Sequence, residues 1–252
     1  MKTKVWMLLF ALTAVSASAQ QLFLQLGGGL ATHYNADAPV GSAKLAIGNE
    51  WEFGKQWSFA PALAFVGKGW QDADTMTPDW VYSTDGVLQM GANGQPLQRT
   101  DAEGNLMYSK MGRSTTTNYL QLDLPIHYYL RVGDHRFWRF TGGVYAAYGV
   151  GGRRRTQGDG REAGARKIEY HDATFTRVEG MRRWDAGLKV GVAYQFPSAF
   201  TFGAEVDFGA LPVNRRSEDL SKVGRNLSAM LTLTYHFRRH KAYTRLQDVD
   251  LD

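Results

Sequence analysis

The side chains equipped for chemistry in this chain are charged residues and histidines set at alternate positions. Lys44, Glu50, Lys68, Asp123, His127, Arg139, Asp185, Lys189, Glu205 and Asp207 all fall in stretches where the neighbouring positions are largely apolar or small. Hydrolysis of a lipid would need a histidine held between a serine and an acid. His171 with Asp172 is the nearest candidate, and no serine is marked beside it. A metal site needs ligands at close spacing, whereas His33, His135, His171 and His240 are scattered along the chain. There is no cysteine, which removes thiolate ligands and thiol nucleophiles. Glycine clusters at 27–29 and 151–152 lack the helix that a nucleotide fingerprint requires. The expectation is no catalytic residue, no metal and no cofactor. What remains is a set of both signs at several depths, which reads either as an ion path with a gate or as a packed structural network.

The spacing says which elements carry this set. In residues 118–132 (NYLQLDLPIHYYLRV), Leu120, Leu122, Leu124, Ile126, Tyr128 and Leu130 alternate with Tyr119, Gln121, Asp123, Pro125, His127 and Tyr129. A period of two is an extended strand with one set on each face. Segments 22–32, 42–53, 56–70, 136–151, 181–196, 200–209 and 226–237 repeat the pattern. Pro61 weakens the third of these, and a bulge there would accommodate it. Ordinary soluble strands run to about 5 or 6 residues, and strands tilted across a bilayer to about 9 to 11. Tight turns alternate with long polar stretches between the segments. Aromatic residues gather at the turn ends (Trp57, Tyr128, Trp138, Tyr194, Phe200, Tyr235) and at the loop ends (Tyr119, Tyr148, Trp184, Phe208). Two membrane interfaces demand that sorting. Together these features predict an all-β, eight-stranded, antiparallel, up-and-down transmembrane β-barrel with its apolar faces toward lipid. Eight strands enclose room for side chains only. The lumen set therefore reads as a structural polar network, with Asp123 paired to a basic neighbour such as Arg139.

The ends and loops complete the organisation. Lys2 and Lys4 precede an apolar run, Val5 to Val15, which is too short for the ~20 residues of a helical span. Ala17-Ser18-Ala19 offers a cleavage site, so residues 1–19 read as a signal peptide and the chain as exported. The barrel is expected over 20–237, with 238–252 as a periplasmic tail and 71–117, 152–180 and 210–225 as long extracellular loops. The first loop carries Asp72, Asp74, Asp79, Asp85, Asp101 and Glu103 and reads as one or two hairpins that offer a partner surface. DGVLQ and EGNLMY within it are alike, but two copies do not make a repeat. Arg153, Arg154 and Arg155, with Arg182 and Arg183, could hold lipopolysaccharide phosphates, because guanidinium forks match phosphate oxygens. Asp159, Glu162 and Glu169 offset much of that charge. The net charge is a modest +5, and nucleic acid is not an expected partner of an exported chain.

With the strands placed, the chain resembles the PorT-like group of small outer-membrane barrels, which are similar in size to OmpA/OmpX-type barrels. The resemblance rests on the strand Tyr119-Leu120-Gln121-Leu122-Asp123-Leu124-Pro125, on Gly67-Lys68-Gly69 and on the Gly-Val-Tyr-Ala-Ala-Tyr run at 143–148. It implies a bacterial outer-membrane location, assembly by the barrel assembly machinery, and contact with outer-membrane lipids and lipopolysaccharide. Some members of the group are implicated in type IX secretion. The function expected is non-enzymatic: a structural or accessory component of an envelope complex, with protein secretion as one such complex. A small porin-like channel is the alternative, and a lipid A-modifying enzyme is the second alternative. One departure is that Phe237 is followed by Arg238-Arg239-His240-Lys241 and a tail, where such barrels often finish on an aromatic.

Overall fold

A computed structural model describes residues 20–53, 55–85, 87–133, 136–158, 169–176, 181–213 and 224–237. Residues 1–19, expected as a signal peptide, and residues 238–252, expected as a tail, lie outside the described residues. Ten strands form one sheet: β1 (Gln20–His33), β2 (Ala38–Glu52), β3 (Trp57–Phe59), β4 (Ala62–Pro78), β5 (Tyr108–Gly133), β6 (Arg136–Gly158), β7 (Glu169–Ala173), β8 (Trp184–Gln195), β9 (Phe200–Pro212) and β10 (Arg225–His236). Eight of them form a closed antiparallel ring in the order β1-β2-β4-β5-β6-β8-β9-β10, because β10 returns to pair with β1 from Phe23↔His236 to His33↔Asn226. Closure leaves no lipid-facing strand edge, the condition for crossing a bilayer with strands. β3 is the turn-proximal end of the third barrel strand, and β7 is an added strand on the outer part of β6.

The inside and outside of the ring are inverted relative to a soluble protein. On β5, Gln121 is 0% exposed while its neighbours Leu120 and Leu122 are 45% and 44% exposed. The same holds around the ring: Leu26, Leu45, Ile47, Phe65, Phe140, Leu188, Phe202 and Leu231 face outward. Lys44, Lys68, Asp123, Asp185, Lys189 and Asp207 face inward and are buried. In water such an outer surface would cost about 25 cal/mol for every Å² left uncovered. Lipid removes that cost.

Outward aromatics pair at the turn end, with Trp57 and Tyr128 at 4.9 Å, Trp138 and Tyr194 at 5.3 Å, and Phe200 and Tyr235 at 5.2 Å between ring centroids. Tyr148 and Trp184 pair at the loop end, 5.1 Å apart. Tyr119 does not join this second girdle. It faces the lumen and is 1% exposed.

Two boundaries differ from the sequence reading. Pro61 interrupts the third strand between β3 and β4, yet the pairings on both sides keep one register, so no bulge is needed. The proline lacks an N–H, and the ladder continues around it through Asn49 N to Pro61 O (3.1 Å) and Ala60 N to Pro125 O (3.0 Å). The other difference is length. β5 has 26 residues and β6 has 23, so much of what reads as loop at 71–117 and 152–180 is strand that continues beyond the barrel. The β4–β5 ladder runs outward from Trp70↔Thr115 to Pro78↔Tyr108, roughly 25 Å at ~3.3 Å per residue.

Residues 79–107 fold at the end of that ladder as three hairpins, not one or two. Their turns close through Ser83 N to Val87 O (2.8 Å), Gly91 N to Gln95 O (2.8 Å) and Asp101 N to Asn105 O (3.0 Å). Gly94 and Gly104 take φ of +71° and +86°, which the turn needs and a side chain would resist. The hairpins meet around a common axis in closed three-membered rings of backbone hydrogen bonds. In one ring Val81 donates to Leu97, Leu97 to Gln89 and Gln89 to Val81. In the next, Asp79 donates to Met107, Met107 to Arg99 and Arg99 to Asp79. The likeness of DGVLQ and EGNLMY is therefore two members of a set of three. The third, around Asn93-Gly94, is hidden in sequence by Pro96 where the others have Leu88 and Leu106.

Candidate functional site: the charged lumen and the outer arm

The lumen set assembles in three tiers. In the central tier Lys44 from β2 and Lys189 from β8 reach in from separate walls. Lys44 Nζ lies 2.9 Å from Asp123 and 3.0 Å from Glu205. Lys189 Nζ lies 2.5 Å from Asp207, 3.4 Å from Glu205 and 3.6 Å from Asp123. Gln121 donates to Asp123 (2.8 Å) and Asp207 (3.0 Å), and Gln25 donates to Glu205 (2.8 Å). Two ammonium groups thus hold three carboxylates from β5 and β9, and two amides supply further donors. Burying unpaired charge would cost several kcal/mol per ion, so this degree of pairing is the condition for placing these groups here.

The outer tier joins Lys68 to Asp185 at 3.0 Å. Tyr145 and Asn226 also donate to that carboxylate, at 3.2 and 3.0 Å. The Lys68 ammonium sits 4.3 Å from the Tyr145 ring centroid and 5.5 Å from that of Tyr119, a cation–π cradle. Above it Trp70, Met181 and Val213 form an apolar cluster with Ala36 and Phe175 against it. The tip of the Phe175 ring lies against Gly149, where a Cβ would come within 2.2 Å of Cζ. Arg183 holds that segment by donating to Gly149 O (3.0 Å) and Phe175 O (3.3 Å).

The inner tier, near the turns, centres on Glu50, which accepts hydrogen bonds from Ser58 and Tyr129 and faces His236 Nδ1 at 3.8 Å. His127 Nδ1 is 2.9 Å from Thr141 Oγ1. Arg139 belongs to this tier as a charge neighbour of Glu50 and His127. The expected Asp123–Arg139 pair does not form, because strand tilt and register bring Lys44 and Lys189 to Asp123 instead.

Neither histidine is set up for acyl transfer. Ser58 bonds directly to Glu50, and a triad would need the imidazole between them. Among the described residues no group of three His, Asp or Glu side chains is placed to hold a metal ion. His171 and Asp172 are adjacent on β7 and so project to opposite faces.

The five arginines do not act together. Arg153 and Arg155 are exposed at alternate positions on the outward extension of β6, on the face that continues from Tyr148 and Val150. Arg154 projects to the other face, toward Thr115 (3.4 Å) and Met181. Arg183 is occupied by the carbonyls above, and Arg182 is half-buried.

Residues 17–211 match the outer membrane protein beta-barrel domain family. The chain belongs to that family. It is accordingly an outer-membrane β-barrel of a bacterial envelope, and the inverted surface and closed ring above are its physical expression. Among solved structures this barrel is similar to a major outer membrane protein from Thermus thermophilus, at 12% identity and a TM-score of 0.43 over 87% of this chain and 100% of that one. It is also similar to the Neisserial surface protein A (9%, 0.35, 86% and 97%) and to Ail of Yersinia pestis (10%, 0.31, 86% and 97%). A comparison with curated proteins finds no match.

The residues that sequence reasoning missed are those of the arm. Its signal was present as three Gly-centred turns, Thr-Asp-Gly, Ala-Asn-Gly and Ala-Glu-Gly at 84–86, 92–94 and 102–104.

Proposed function

We propose that this outer-membrane barrel is a non-enzymatic display scaffold with a closed lumen, acting as an accessory in an envelope complex. The observation that carries the reading is the arm: an ordered ladder leaves the barrel and ends in a three-hairpin head at Pro78↔Tyr108. The charged tiers support it, because Lys44, Lys68 and Lys189 are paired across the lumen with Asp123, Asp185, Glu205 and Asp207. The secretion role implied by the PorT-like resemblance has no counterpart in the matched family description, so protein secretion is simply the first envelope complex to probe. The porin-like channel is the competing outcome of the same test. Protein reconstituted into planar bilayers is expected to show no stable open conductance, and a pull-down from detergent-solubilised membranes to recover a protein partner that depends on residues 79–107. A stable open conductance would sink the closed-lumen reading.

Lipopolysaccharide contact is part of this proposal and narrows to Arg153 and Arg155. They are the two arginines of the set that sit exposed on the outward face, just beyond the Tyr148–Trp184 aromatic pair, and guanidinium forks match phosphate oxygens.

A further inference from the structure

We infer that the three-hairpin head is a docking surface for a cationic, amphipathic segment of a partner protein. The inference rests on the display reading and adds the chemistry of what is displayed. The first support is charge. The chain carries +5 overall, yet residues 79–107 hold Asp79, Asp85, Asp101 and Glu103 against Arg99 alone. The outermost structure of a basic protein is thus acidic. Anionic lipopolysaccharide repels such a head, which keeps it off the cell surface, and a basic partner is drawn to it.

The second support is exposed apolar surface in the same 29 residues. Tyr82, Val87, Met90 and Leu106 are 50%, 64%, 56% and 56% exposed. None is needed to hold the head together, since its axis is closed by backbone rings and its turns by side-chain caps. Asp101 Oδ1 accepts from Asn105 N (2.7 Å), Asn93 Oδ1 from Gln95 N (3.1 Å) and Ser83 Oγ from Val87 N (3.1 Å). These apolar groups lie well outside the lipid belt, so lipid does not cover them. Exposed apolar side chains in a segment that also exposes Asp85, Asp101 and Glu103 fit a partner segment that alternates basic and apolar residues.

The pairing Pro78↔Tyr108 makes the head separable. Replacing 79–107 with Asn-Gly would close the ladder as an ordinary two-residue hairpin. The test uses the full chain in nanodiscs of zwitterionic lipid, with a fluorescent peptide of alternating lysine and leucine read by polarisation. Matched lysine–serine and glutamate–leucine peptides serve as controls. The lysine–leucine peptide is expected to bind best, and excision of the head to abolish binding above the lipid background. Asp85→Asn with Glu103→Gln is expected to weaken binding about fivefold and to flatten its salt dependence. Met90→Ser with Leu106→Ser should weaken it by a similar factor without altering the salt dependence. Equal binding by the excised protein, or preference for the glutamate–leucine peptide or for heparin, would overturn the inference. Protease clipping of the head on intact cells reports display separately: a head that is clipped but binds no cationic peptide removes this inference and leaves the display reading standing.

Discussion

At the scale of single residues the lumen is a problem in desolvation. Lys189 is 2% exposed and surrounded by Asp207, Glu205 and Asp123. Lys189→Met keeps most of the unbranched stem, removes the charge and strands three carboxylates around one remaining ammonium, Lys44. The expected loss is ~3–5 kcal/mol, the usual cost of breaking a buried pair from one side. It is measured by urea unfolding in lipid vesicles through tryptophan fluorescence. Adding Asp207→Asn should restore part of the loss, because the pair as a whole contributes far less than either partner left alone. An unchanged midpoint for the single variant would remove the network from the account of stability.

His33, at the loop end of β1, gives a pH dependence with a definite sign. Burial lowers its pKa from the ordinary value, while Asp72, 3.9 Å away, and a backbone hydrogen bond work against that. The neutral ring is the form that accepts the Asn35 N–H at Nδ1, 3.1 Å away. A group whose folded pKa is depressed contributes stability above its unfolded value near 6.5, and that stability is lost as pH falls through the folded pKa. Protection of the Asn35 amide, meaning its exchange rate relative to the intrinsic base-catalysed rate, should therefore be high at neutral pH and fall on acidification below ~6.5. Exchange that quickens as pH rises from acid toward neutral by more than intrinsic base catalysis would contradict this.

At the scale of elements the long strands matter most. Alternation is legible for as long as lipid imposes it, so Leu120 to Leu130 on β5 identified that strand and its faces from sequence. Beyond the lipid the outward face meets water and no longer needs to be apolar, while the inner face stays polar even where it is buried, as at Thr115 and Thr117. Residues 108–117 of β5 and 152–158 of β6 then carry Ser, Thr, Arg and Gly on both faces and look like loop. Only their pairing, from Met111↔Gly158 to Asn118↔Gly151, shows that they are strand. The pairing decides which arginines share a face, since Arg153 and Arg155 project one way and Arg154 the other. Replacing Arg153 and Arg155 with Ser is accordingly expected to lower co-purifying lipopolysaccharide several-fold, whereas Arg154→Ser should leave it near the wild-type level. Equal losses from both would mean that charge in bulk, and not the outward face, holds the lipid.

At the scale of the whole molecule, the sequence alone determined the architecture. A period of two sustained over eight segments, with aromatics sorted by height, has a single physical solution in a chain with no helical span after residue 19: a closed ring with apolar residues outside. The identity of the lumen set was determined the same way, because parity along a strand assigns each residue to a face. Three things were decided only by tertiary structure. Strand tilt and register chose the partners, giving Asp123 to Lys44 and Lys189 and placing Arg139 beside Glu50. Tyr119 left the girdle for the lumen, where its ring meets the Lys68 ammonium and Phe175. The arm emerged from three short turns whose bonds join residues up to 28 positions apart, from Asp79 to Met107. Local sequence carries each turn, but the rings that bind them exist only once three hairpins meet, and no periodicity along one chain reports a bond that closes through two others.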